Sequence, residues 1–203
     1  DCDLTIGSSW CCPGMPPDVL YQSMYNWFPL LYRNEAFRSR LADRYRRLTE
    51  GGLQQNVFQK LNEYKETISA SFTMNRLRWQ KYYTDASEAH RSQKRFQTLE
   101  EHVGYITDFM ERRFDFLDEV WLEGKEYCYG SFYSYNGTVS MKWYTLRPGE
   151  TIPEAPAPEP SAVEGQRFTG WFDQNGDPFL PNAAYTENRN YTAGWETDDA
   201  EAT

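Results

Sequence analysis

Asp1 and Asp3 are the residues whose type and spacing point most directly to chemistry. In extended chain, alternate side chains fall on one side, so both carboxylates can face a common point. Carboxylate oxygen is the donor that a hard cation such as Mg²⁺ selects, which makes the pair a candidate metal site. Two acids at a chain end can equally do no more than face water, and spacing alone leaves both readings open.

The remaining constellations read more plainly. His90 and His102 are the only histidines, and their separation fits no ligand set or triad. Asp173, Asn175 and Asp177 imitate the opening of a calcium loop. Gly176 then falls at the fourth loop position instead of the sixth, and Ala184 stands where the closing Glu would be, so a polar hairpin turn is the reading. Arg33, Arg38, Arg40, Arg44, Arg46 and Arg47 form a basic cluster that could hold phosphate or an acidic partner. Glu35 and Asp43 interleave with it, which reads as a solvated helix face. Trp143, Trp171 and Trp195 could stack on sugars, but in so small a unit they are expected to be core. Cys2, Cys11, Cys12 and Cys128 contain no CxxC pair, so no zinc site is expected. A Cys2–Cys11 or Cys2–Cys12 bridge stays open.

Composition bounds the rest. The 203 residues carry 21 basic and 30 acidic side chains, a net charge of −9, which disfavours a nucleic-acid binder. No apolar run approaches the ~20 residues of a membrane span. Aromatic residues make up 17% of the chain, including seven Trp, enough to dominate compact cores or adhesive surfaces. Asp1-Cys2-Asp3 has no signal-peptide character, so the chain reads as a mature segment or an expression fragment.

These residues must be positioned by two kinds of element. Residues 1–124 hold 16 basic and 18 acidic side chains; residues 125–203 hold 5 and 12 and are richer in Pro, Gly and Asn. The shift places a domain boundary near Gly124. Ahead of it, Phe96, Leu99, Val103, Ile106, Met110, Phe114, Leu117 and Trp121 recur every three or four residues, predicting a long amphipathic helix. Leu53, Val57, Leu61, Tyr64, Ile68, Phe72, Trp79 and Tyr82 predict a second, opened by the break at Gly51-Gly52. Phe37, Leu41, Tyr45 and Leu48 predict a shorter helix capped by Asn34. Leu20, Met24, Trp27 and Leu31 predict a first one, which Pro29 must kink or end. One stripe alone cannot stay folded in water, so three or four helices packed antiparallel are expected. Behind the boundary, Gly137–Thr145, Phe168–Phe172 and Tyr191–Trp195 read as strands, with turns at Pro148-Gly149 and Asn175-Gly176. Residues 153–160 form a proline-rich connector, and residues 198–203 an acidic, disordered tail.

Two stretches resemble known families. Pro148-Gly149-Glu150-Thr151, Phe168-Thr169-Gly170-Trp171 and Tyr191-Thr192-Ala193-Gly194-Trp195 resemble the Listeria–Bacteroides repeat of bacterial surface proteins. That resemblance implies a secreted or surface-attached bacterial chain and a β-grasp-like module over residues 125–197, with two terminal Trp supplying most of its core. Residues 1–123 resemble the C-terminal half of the CotH-type kinases, which are similar to atypical protein kinases and were first known from spore coats. Asp1-Cys2-Asp3-Leu4-Thr5-Ile6-Gly7 is similar to that family's Asp-x-Asp-x-x-x-Gly segment, with Ile6 in place of the usual Phe. Trp27 to Arg47 resembles its helical segment around Asn-x-x-Phe-Arg, and Tyr105 to Asp118, with Phe109, Arg112, Arg113 and Leu117, resembles its closing helix.

The resemblance implies an α+β chain: an antiparallel helical bundle over residues 1–124, then a small β-grasp-like repeat domain. It implies Mg²⁺ and ATP for the intact parent, held in part by Asp1 and Asp3, with a secreted or coat protein as phosphate acceptor. A kinase also needs a nucleotide-covering loop, a phosphate-pairing Lys and a catalytic Asp before the metal-binding segment. None stands before Asp1 here, so no cofactor is expected for this chain alone. The rival expectation is a non-catalytic cell-surface or adhesion module, whose partner would be a surface protein or a glycan.

Overall fold

The computed structural model describes residues 16–20, 28–81, 96–135, 139–158 and 165–197. It is a mixed α+β chain, and the described residues form four helices followed by a four-stranded sheet. The helices are α1 (Phe28–Tyr32), α2 (Glu35–Glu50), α3 (Leu53–Arg78) and α4 (Leu99–Trp121). The strands are β1 (Cys128–Tyr135), β2 (Val139–Leu146), β3 (Gln166–Phe172) and β4 (Arg189–Thr197). Contacts divide the described chain between Lys125 and Glu126, and each unit has its own interior.

Capping chemistry sets the helix limits. Asn34 caps α2 by accepting from the Phe37 backbone N–H at 3.1 Å. Gly51 then closes α2, and Gly52, at φ 82°, turns the chain through the left-handed region into α3. Thr98 and Glu101 form a capping box at the start of α4, a Thr-x-x-Glu signature. α1 is described from Phe28 to Tyr32 and contains Pro29. The earlier part expected for this helix, with Met24 and Trp27, lies outside the described residues.

Helix α4 carries the interior of the first unit. Phe109, Phe114, Phe116 and Leu117 are all buried. Helix α3 runs antiparallel to it: Phe58 meets Phe114 with ring centroids 6.0 Å apart, and Phe72 meets His102 at 5.6 Å. The expected α3 stripe needs correction. Tyr64, Ile68 and Trp79 are 62%, 44% and 53% exposed, and no residue of α3 is fully buried. Leu53, Val57, Leu61 and Phe72 of that stripe are half-buried, as is Phe58 beside them, so only its Tyr64, Ile68 and Trp79 positions turn to water. Tyr82 lies outside the described residues.

The sheet has the order β2-β1-β4-β3. β1 pairs antiparallel with β2 and parallel with β4, and β3 pairs antiparallel with β4. β1, rich in Tyr and Ser, was not expected as a strand at all, yet it lies at the centre of the sheet. Phe132, 1% exposed, is the hub of the interior. It stacks on Tyr191 at 5.1 Å and meets Tyr144, Trp171 and Phe179 edge-on at 5.7, 5.2 and 5.3 Å. The expectation that two terminal Trp supply most of this core is therefore corrected. Trp171 is buried, donating its indole N–H to the Pro156 carbonyl at 3.0 Å, whereas Trp195 is half-buried and reaches the cluster only through Phe168. The β1–β4 pairing holds Phe132 opposite Tyr191 and ends at Thr192, so Trp195 lies beyond it, opposite Phe168 of β3. Gly130 permits the packing above it: a methyl there would lie 2.6 Å from Ile152 Cδ1.

Replacing Phe132 with Ala should destabilise the sheet unit by about 3–5 kcal/mol, because the cavity borders four rings. A urea titration followed by near-UV circular dichroism checks this, with Phe132→Leu expected to cost less.

Candidate functional site

Asp1 and Asp3, the candidate metal ligands, lie outside the described residues, as do Cys2, Cys11, Cys12 and His90. Among the described residues, no group of three or more His, Cys, Asp or Glu could hold a metal ion. No described helix is long and apolar enough to cross a membrane.

In the described residues 16–20, Val19 and Leu20 are buried. This segment is held by Arg113 of α4. One guanidinium nitrogen donates to the Pro17 carbonyl at 2.7 Å and to the Val19 carbonyl at 2.5 Å. The same guanidinium lies 5.9 Å from the centroid of Phe116. A planar, permanently charged donor suits this task better than Lys would. The resembling closing helix is therefore sorted by role: Phe109 and Leu117 fill the interior, Arg113 holds the N-terminal segment, and Arg112 pairs with Asp108 at the surface at 3.7 Å.

One turn further along, Asp118 joins all three long helices. Its Oδ1 accepts from the Tyr45 hydroxyl at 2.7 Å, and its Oδ2 accepts from Gln54 Nε2 at 3.4 Å. Trp121 closes the node edge-on against Tyr45 at 5.0 Å. Burial, and then the Asp118 carboxylate, push the Tyr45 hydroxyl well above the ordinary phenol range. The node was not foreseen. Its one sequence signal is an acid four residues after Phe114, on the packed side of the helix.

At the other end of the unit, a cleft of about 470 Å³ opens between α3 and α4, lined by Phe72, Arg76, Gln80, Gln97, Thr98 and Glu100. It gathers the stripe residues Phe72 and Leu99 but none of the candidate site residues. Arg76 is committed to the Phe96 carbonyl and to Gln97 Oε1. The helix start beside it is filled by its own carboxylate, since Glu101 accepts from the Gln97 and Thr98 backbone N–H at 2.6 and 2.9 Å. Those two bonds hold the Glu101 carboxyl below its usual range. His102 lies against Phe72 and Phe96, and burial, with Arg76 nearby, lowers its pKa. It is a packed histidine and not a ligand.

The calcium-loop and cysteine candidates take the plainer reading. Asp173 Oδ1 accepts from the Asn175 and Asp177 backbone N–H at 2.8 and 2.9 Å, the pattern of a polar turn. Cys128 is a free thiol buried in the sheet unit, with its pKa raised by that burial. In the arginine cluster, Arg38 donates to the Tyr32 carbonyl at 3.0 Å and Arg46 pairs with Asp43 at 2.9 Å.

Tyr45→Phe should lower stability by about 1–3 kcal/mol, since the bond it removes ends on a carboxylate. The raised Tyr45 pKa also sets a pH dependence. In the folded state the proton stays on above pH ~10, where the unfolded chain releases it, so stability is full below ~10 and falls as pH rises further. Urea midpoints across that range should decline in the native chain and decline less in Tyr45→Phe.

The family model described as CotH kinase protein matches residues 1–117. No significant match was found among curated proteins or among solved structures. The matched span holds α1, α2, α3, the Arg113 contact and most of α4, stopping one residue before Asp118. Covering more than half of the chain, that match assigns this protein to the CotH kinase protein family.

Proposed function

We propose that this chain is the C-terminal segment of a secreted bacterial CotH-like protein whose intact parent transfers phosphate from ATP to an extracellular or coat protein. The observation that carries this reading is the family match across residues 1–117. Asp1 and Asp3 stand in the family's metal-binding segment and would supply carboxylate oxygen to Mg²⁺. The contribution of the helical unit is positional. Arg113 fixes the backbone of Pro17 and Val19 against α4, and the Asp118 node holds α2 and α3 to that same helix. The reading of this unit as the family's antiparallel bundle draws support from the α3–α4 pairing.

The sheet unit is read as a β-grasp-like surface repeat of the Listeria–Bacteroides type. Its support is the mixed order β2-β1-β4-β3 with a parallel central pair, together with Gly170, at φ 144°, opposite Gly194 beside the buried Trp171. Such a module would attach or space the parent at the cell surface, and it accounts for the secreted, surface-associated part of the proposal.

The 203-residue chain alone is expected to be inactive, because the resemblance puts the nucleotide-covering loop, the Lys and the catalytic Asp ahead of the metal segment. Isothermal titration of this chain with Mg²⁺ and ATP should show no binding, and a clear binding isotherm would overturn that half. In the intact parent, Asp1→Asn with Asp3→Asn should lower phosphate transfer to casein by roughly a thousandfold or more. Unchanged transfer would remove the metal role.

A further inference from the structure

Five of the six clustered arginines lie on α2, and they divide into two sets once their partners are known. Arg38 is used to close α1, and Arg46 pairs with Asp43. Arg40, Arg44 and Arg47 follow at i, i+4 and i+7, which places them on one face of α2. All three are exposed. Among the described residues no carboxylate pairs with Arg40 or Arg44. Arg47 spends only its Nε, on the Asp43 carbonyl at 3.2 Å. Asp43 is turned away to Arg46, and no ion pair forms with Glu35 or Glu50 among the described residues. A guanidinium stripe is thus left open on a chain whose net charge is −9.

We infer that this face of α2 is a docking surface for an extended acidic polypeptide segment of a partner protein. Charge complementarity and spacing argue for it together. Arg40 and Arg44 are ~6 Å apart along the helix axis, from a rise of ~1.5 Å per residue. Carboxylates at alternate positions of an extended chain recur every ~6.7 Å on one side. Each guanidinium can then take one carboxylate through two parallel N–H bonds. Because the rest of the chain repels acids, attraction is confined to the stripe, and added salt weakens it.

The test uses the full chain and a fluorescein-labelled peptide of alternating Glu and Ser, followed by fluorescence anisotropy. Binding is expected at about 20 mM salt and should weaken about tenfold or more by about 200 mM. The Arg40→Gln/Arg44→Gln/Arg47→Gln variant should lose about tenfold in affinity, or 1.4 kcal/mol, while Arg46→Gln stays within about twofold. If the triple variant loses helicity, the peptide side decides: an alternating Gln-Ser peptide should not bind the native chain. No binding at low salt, equal binding by the triple variant or the Gln-Ser peptide, or equally tight capture of a DNA oligonucleotide of the same charge would each overturn the inference.

Discussion

Helix α4 cannot keep its apolar stripe in water, and the rest of the helical unit follows from covering it. Phe109, Phe114 and Leu117 are buried because α2, α3 and the segment around Val19 pack around this helix. The hydrophobic term is non-directional, so burial alone would leave the helices free to slide. Two charged hydrogen-bonding groups supply the missing geometry. Arg113 ties down backbone carbonyls that would otherwise be half-buried without donors, and Asp118 accepts from two different helices. Both are single residues on the packed side of an amphipathic helix, where an unpaired charge would be costly and a paired one specifies register.

The sheet unit solves the same problem with rings. Its interior centres on Phe132, surrounded by Tyr144, Trp171, Phe179 and Tyr191 in mostly edge-on contacts, the geometry that aromatic quadrupoles favour. The parallel β1–β4 pairing brings this about. It places Phe132 opposite Tyr191 and carries the antiparallel β3–β4 pair, with Trp171, onto the same face. A strand bulge between Phe168 and Gly170 lets both Phe168 and Trp171 reach that face.

Within the CotH family match, the described residues are those that hold, and Asp1 and Asp3 lie outside them. The scaffold carries its charge locally: the Asp118 node and the capping box are closed on themselves, whereas the outward arginines of α2 are open. An exposed guanidinium costs little when free, so such a face can be kept ready for a partner without weakening the fold.

Local patterns written in consecutive residues were readable in advance. The stripe from Leu99 to Trp121, the Asn34 cap, the Gly51-Gly52 break, the Asn175-Gly176 turn and three of the four strands all depend on neighbours within a few positions. The Tyr- and Ser-rich β1 was not readable, because its burial comes from lying between β2 and β4, and β4 is some sixty residues away. The exposure of Tyr64 and Ile68 on α3 was hidden for a like reason: the apolar period runs on through them, and only the contacts with α4, at Phe58 and Phe72, decide which positions are covered. The sequence by itself determined the long helices, three of the strands and the family. Tertiary structure alone decided that Tyr45 meets Asp118, that Arg113 meets Pro17 and that Phe132, and not a tryptophan, is the hub, because such meetings depend on contacts across tens of residues that no local period encodes.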